Sequence, residues 1–120
     1  MMSEKVDKAV EYMRGPYSCS QSVMCAFCDD AGLSNDKARE ISTPYAAGRR
    51  IKCGAVCAAE LVLTAKYGEN LTPKLNARFE KKFYAKVGAI NCNEIKRHNL
   101  CSCIDCVRYS AEILDEMLTQ

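Results

Sequence analysis

From Cys53 to Tyr67 the chain is apolar on almost every side, interrupted chiefly by Glu60, Thr64 and Lys66. A surface helix carries one apolar stripe with a polar face opposite, whereas a helix apolar all round has to be enclosed by other elements. Gly68 ends the segment short of the ~20 apolar residues that a membrane span needs. A central helix at about 53–67, sheathed by amphipathic neighbours, is therefore the organising expectation.

The neighbours show in their periodicity. Val6, Ala9, Val10 and Met13 recur at helical spacing behind Ser3, a suitable N-cap, and the pattern stops at Gly15-Pro16. A second helix is expected from Cys19 to about Ala31, with Val23, Met24, Phe27 and Ala31 on one side and Gly32 at its end. Ser34 can cap a third that runs through Asp36 to about Ile41 and is broken at Thr43-Pro44. Tyr45 to Lys52 has no clear period and suits a loop. Thr72-Pro73 opens a further helix, with Leu75, Phe79, Phe83 and Val87 along its buried edge and Gly88 at its end. A loop through Cys92 and Asn99 leads to a last helix from roughly Ser102 to Leu118. No strand alternation, internal repeat or linker interrupts this series. The fold class expected is all-α: a compact single domain over residues 1–120, with five or six helices bundled around the central one.

Charge and compartment narrow the chemistry. Seventeen basic residues against fifteen acidic give a net charge of +2, scattered along helix faces. Nucleic-acid binding depends on concentrated phosphate neutralisation and is not expected, nor is membrane insertion. Met1-Met2-Ser3-Glu4-Lys5-Val6-Asp7-Lys8 lacks the apolar core of a secretory signal, so a cytoplasmic location is expected. In that reducing compartment nine cysteines are the anomaly, and they point to metal binding or catalytic redox work before structural disulfides. Nine is also odd, so all cannot pair within one chain.

On a helical wheel Cys53, Cys57, Glu60 and Thr64 fall within a stripe about 60° wide. A buried carboxylate needs a partner or a role. Two stand open for Glu60: proton acceptor beside the thiols, or a bracing ion pair with Arg49 or Arg50. Cys53 and Cys19 each fall at the first turn of a helix, where unpaired N–H groups and the helix dipole favour a thiolate, the form that attacks electrophiles and binds metals. A cysteine can equally be a small buried hydrophobe. Cys103 and Cys106 share the apolar face of the last helix and are expected to point inward. Cys101-Ser102-Cys103-Ile104-Asp105-Cys106 packs three cysteines into six residues, a density found in metal and cluster sites. Cys25 falls on the polar side of the second helix, so Cys25-Ala26-Phe27-Cys28 reads as incidental. The lone His98 lies in a polar surface segment, and no phosphate-binding loop or Ser-His-Asp set is present.

Several of these blocks together resemble the redox-active family named for its C-GCAxxG-C-C cysteine pattern, small bacterial proteins with four signature cysteines. Gly15-Pro16-Tyr17-Ser18-Cys19-Ser20-Gln21-Ser22-Val23 is similar to the first cysteine block, and Ala47 through Val56 to the glycine-rich lead-in and second cysteine. Phe79 to Phe83 with Gly88 to Ile95 resembles the third block, and Cys106-Val107 the fourth. The resemblance implies Cys19, Cys53, Cys92 and Cys106 as the signature cysteines. It departs at Ala58, where the family has the second Gly of its CGAxxG segment, and at the additional Cys57.

Three functions stay open at this point. The first is thiol–disulfide redox chemistry, as an oxidoreductase, centred on Cys19, Cys53, Cys92 and Cys106 with Cys57 and Glu60 in support and an unidentified redox partner. The second is a cysteine-ligated zinc ion or iron–sulfur cluster on the same four cysteines, with Cys103 as an added ligand. The third is a helical interaction module with inert buried thiols, in which Cys25, Cys28 and Cys101 are bystanders in any case.

Overall fold

The computed structural model describes residues 4–48 and 51–119. Among them are seven α-helices: α1 (Glu4–Arg14), α2 (Cys19–Ala26), α3 (Asn35–Ser42), α4 (Gly54–Tyr67), α5 (Thr72–Val87), α6 (Cys92–Arg97) and α7 (Cys103–Leu118). Short 3-10 segments follow α3, at Thr43–Gly48, and precede α5, at Glu69–Leu71. The fold is all-α, and no helix among the described residues is long and apolar enough to cross a membrane. Ser3, expected to cap α1, lies outside the described residues, as do Arg49 and Arg50.

Caps and breakers account for most boundaries. Ser18 caps α2 through a capping box with Gln21, and Ser34 and Ser102 cap α3 and α7 by accepting from Lys37 N and Asp105 N. Gly88 ends α5 in the left-handed region at φ 97°, a conformation that favours glycine over any residue with a Cβ. Two boundaries differ from expectation. Helix α2 stops at Ala26, because Phe27 leaves helical geometry (φ −112°, ψ 22°) to bury its ring completely, and turns carry the chain to Gly32. The stretch after Cys92 is not a loop but the six-residue α6, too short for its periodicity to register.

Helix α4 is the centre of the bundle. Its residues from Gly54 to Leu63 are all buried apart from the partly covered Leu61, and it packs against α2, α5 and α7 while α1 lies across α2 and α7. Side chains from all seven helices meet in one core. Phe79 and Phe83 are fully buried there, each contributing about 2–3 kcal/mol by removal of its ring from water. Ala58, in place of the glycine that the resemblance expects, is fully buried and its methyl is accommodated.

Two details aim the N-terminal end of α4. Lys52 and Asn91 form an isolated antiparallel bridge, in which Cys53 N–H donates to Ile90 O at 2.9 Å and Cys92 N–H to Ile51 O at 3.0 Å. Ile51 holds φ 75°, rare for a β-branched residue, and so presents that carbonyl. From the other side, the buried Ser110 hydroxyl of α7 donates to Ala55 O at 2.8 Å. The bridge fixes the chain entering α4, and Ser110 fixes the first turn against α7.

Candidate functional site

These constraints gather cysteines from four parts of the chain around one small cavity at the N-terminus of α4. Its wall is formed by Cys19, Cys53, Cys92, Cys101, Cys103 and Cys106, together with Gly54, Ile95 and Lys96. None of the nine cysteines is in a disulfide. Cys53 (6% exposed), Cys106 (3%) and Cys92 (9%) form its inner side, Cys19 and Cys101 are half-buried, and Cys103 is exposed at the mouth.

Cys53 is the N-cap of α4, with extended ψ of 134°. Its sulfur makes no close capping hydrogen bond, but the first-turn N–H groups of Ala55 and Val56 point toward it. Hydrogen bonding from the neighbouring Cys106 thiol, then the two N–H groups and the Lys96 ammonium, lower Cys53 to about 7, outweighing burial. The pair is asymmetric for a structural reason. Cys106 stands one turn into α7 with its own N–H already given to Ser102 O at 2.9 Å, so it has no helix terminus to stabilise a charge. Its hydrogen bond to Cys53 and its burial push its own value strongly upward. Cys101 is a second hydrogen-bond neighbour of Cys106, and burial raises both Cys101 and Cys92, the latter opposed by Lys96. One thiol lowered toward its thiolate, its Cys106 neighbour and four further sulfurs thus face a shared space.

Gly54 makes this approach possible. A Cβ at that position would fall inside any allowed distance of the Cys19 Sγ and 2.9 Å from Tyr45 O. Only a residue without a side chain lets Cys19 close over the start of α4.

The wheel grouping of Cys53 with Cys57 and Glu60 does not hold. Cys53 is a cap outside the helical repeat, so its side chain turns to the cysteine cavity, while Cys57, Glu60 and Thr64 line a separate cavity of about 290 Å³ with Lys52 and Asn76. Burial raises the Cys57 thiol to about 11, with Glu60 adding to the effect, which leaves it protonated. Glu60 pairs with Lys52 at 3.1 Å, and Lys52 also reaches Glu80 at 2.7 Å. Burial, reinforced by Glu80, keeps the Glu60 proton on, up to about 8. The expected partners Arg49 and Arg50 lie outside the described residues.

Three other placements differ from the sequence reading. Cys103, expected to face inward, is exposed because it is the first residue of α7 and projects beyond the packed turn that holds Cys106. Cys101, expected to be a bystander, lines the cavity, and the density of Cys-Ser-Cys-x-x-Cys is the sequence signal for it. Cys25 does not sit on a polar surface: α2 is covered on both faces, so Cys25 is buried and its thiol is held up at about 11, chiefly by desolvation. Lys96 has no sequence signal, being one of many scattered lysines. His98 is exposed, as expected. Among the described residues no group of three or more His, Cys, Asp or Glu side chains is arranged to hold a metal ion.

Comparison with known families finds a match over residues 17–117 to the family described as "Putative redox-active protein (C_GCAxxG_C_C)". No curated protein and no solved structure matches the chain.

Proposed function

Since this chain belongs to the C_GCAxxG_C_C family, we propose that it is a thiol redox protein in which Cys53 is the nucleophile and Cys106 the resolving thiol. The observation that carries the reading is geometric: Cys53, at the start of α4, and Cys106, one turn into α7, are both buried and face the same small cavity. The Cys53 thiolate bonds to one half of a two-electron oxidant as the bond joining the oxidant's two halves breaks, and the other half leaves with the electron pair. Cys106, losing its proton, then attacks Cys53 and expels the remaining half, leaving a Cys53–Cys106 disulfide and a substrate reduced by two electrons. A thiol reductant returns the pair to its starting state. Cys19 and Cys92 complete the wall around the reacting sulfurs, and a reducing cytoplasmic setting suits thiols held ready in this form.

Mild oxidation of the metal-free chain with hydrogen peroxide or diamide, followed by thiol counting and peptide mapping, tests this. The expected result is a loss of two thiols and a Cys53-to-Cys106 cross-linked peptide, absent in Cys53→Ser. An unchanged thiol count overturns it. A cysteine-ligated zinc ion or iron–sulfur cluster is the second reading, favoured by six cysteines at one cavity and opposed by their lack of metal-holding geometry. Stoichiometric zinc or iron in anaerobically purified protein would establish it in place of the first.

A further inference from the structure

The shape of the cysteine cavity restricts what can reach the reacting sulfur. Its free volume is about 30 Å³, and a water-sized molecule occupies ~10–15 Å³ on that scale. Two oxygen-sized atoms therefore fit and little more does. Cys53 and Cys106 are 6% and 3% exposed, so neither projects toward a surface where another protein's disulfide could lie. Attack on a disulfide also needs the two substrate sulfurs in line with the attacking one, each with its carbon attached, and that body exceeds the space.

We infer that the oxidant accepted at Cys53 is a small hydroperoxide, with hydrogen peroxide as its simplest member, and that bulky disulfides are excluded; this rests on the thiol reading of the site. The Cys53 sulfur bonds to one peroxide oxygen as the O–O bond breaks. The departing oxygen takes the Cys106 thiol proton and leaves as water, giving Cys53 sulfenic acid and a Cys106 thiolate. That thiolate attacks the Cys53 sulfur and expels hydroxide, which takes up the proton that Cys53 released on ionising. Two thiols and one peroxide become one disulfide and two waters, with two electrons passing from sulfur to oxygen. Lys96 at the cavity wall supplies positive charge beside the attacking thiolate without filling the space.

The test uses the full reduced chain, with hydrogen peroxide, cumene hydroperoxide and oxidised glutathione as separate oxidants. Samples are quenched with N-ethylmaleimide and mapped by mass spectrometry. Each rate of Cys53–Cys106 disulfide formation is divided by the rate the same oxidant shows with free cysteine. The normalised rate for hydrogen peroxide is expected to exceed that for oxidised glutathione by ~100-fold, since the larger oxidant must wait for local opening, with cumene hydroperoxide well below hydrogen peroxide. Equal normalised rates for all three would overturn the size restriction while leaving the thiol pair intact. Failure of all three oxidants, and of diamide in the earlier test, to link Cys53 with Cys106 would remove the pair and the inference with it. In Cys106→Ser, peroxide followed by dimedone is expected to label Cys53, and labelling of Cys103 in its place would refute Cys53 as the entry point.

Discussion

Replacing Gly54 with alanine isolates the contact on which the site's geometry depends. The added methyl meets Cys19 Sγ well inside contact distance, Tyr45 O at 2.9 Å and Ala46 Cα at 3.3 Å. The sulfur can rotate away, but the other two are backbone atoms of the 3-10 segment and have to move as a unit. Overpacking of this kind costs ~1–3 kcal/mol, while the loss of glycine's freedom in the unfolded chain returns ~0.4–1 kcal/mol. The net expectation is a loss of about 1–2 kcal/mol, a fall in melting temperature of about 3–8 °C for a chain this size. Urea or thermal unfolding measures it, and a double-mutant cycle with Cys19→Ala assigns it: removing the sulfur relieves one of the three clashes, so Gly54→Ala is expected to cost less in that background. A Gly54→Ala variant as stable as the parent, or a cost identical with and without the Cys19 sulfur, refutes the claim that glycine is there to admit Cys19.

Three more perturbations probe other parts of the structure. Alkylation of Cys53 by iodoacetamide is expected to rise with pH around a midpoint of about 7, since a lowered value means the thiolate is present above it; Cys106→Ala removes the largest stabilising contact and should return the midpoint toward the ordinary thiol range, and an unmoved midpoint would dismiss that hydrogen bond. Glu60 keeps its proton up to about 8 in the folded chain against 4.5 ordinarily, so folding takes up a proton between those values and stability falls as pH rises from about 5 to 8. Glu80 is lowered and Lys52 raised, each toward its charged form, and both act outside that window, so Glu60→Gln is expected to flatten the slope of melting temperature against pH, and an equally steep slope in the variant contradicts the assignment. Ser110→Ala leaves Ala55 O without its helix-to-helix bond and is expected to cost about 1 kcal/mol, with no effect on chemical denaturation counting against the role of that bond.

Features set by periodicity and composition are legible in the sequence, whereas those set by cap geometry and long-range pairing are not. The apolar run after Cys53 marks α4 because enclosure leaves no polar face, and Ser18, Ser34 and Ser102 mark helix starts because their oxygens satisfy otherwise unpaired N–H groups. The same wheel misplaces Cys53, because the repeat of 100° per residue does not extend to a cap whose backbone is extended. Cys101 stands in no helix, so nothing local indicates where it points. The Lys52–Glu60–Glu80 cluster joins two helices and the chain before them, and a carboxylate's partner among seventeen cations is decided by packing. Cys25 reads as polar-faced only because its neighbours Ser20 and Ser22 are polar, and both are buried with their hydroxyls bonded to backbone carbonyls.

The bridge between Lys52 and Asn91 gives the site a thermodynamic boundary of its own. It closes the long excursion through α4 and α5 with two backbone hydrogen bonds, and closing a loop of that length costs entropy only once, growing slowly with its length. Breaking the two bonds lets Cys53 and Cys92 part while the apolar faces of α4 and α5 stay packed. The amides of Cys53 and Cys92 should therefore exchange with deuterium together, at a lower opening free energy than those of Val62 and Leu63 in the middle of α4. Exchange at these two amides becomes a direct gauge of how often the cavity opens, read from the backbone and independent of any reaction at sulfur.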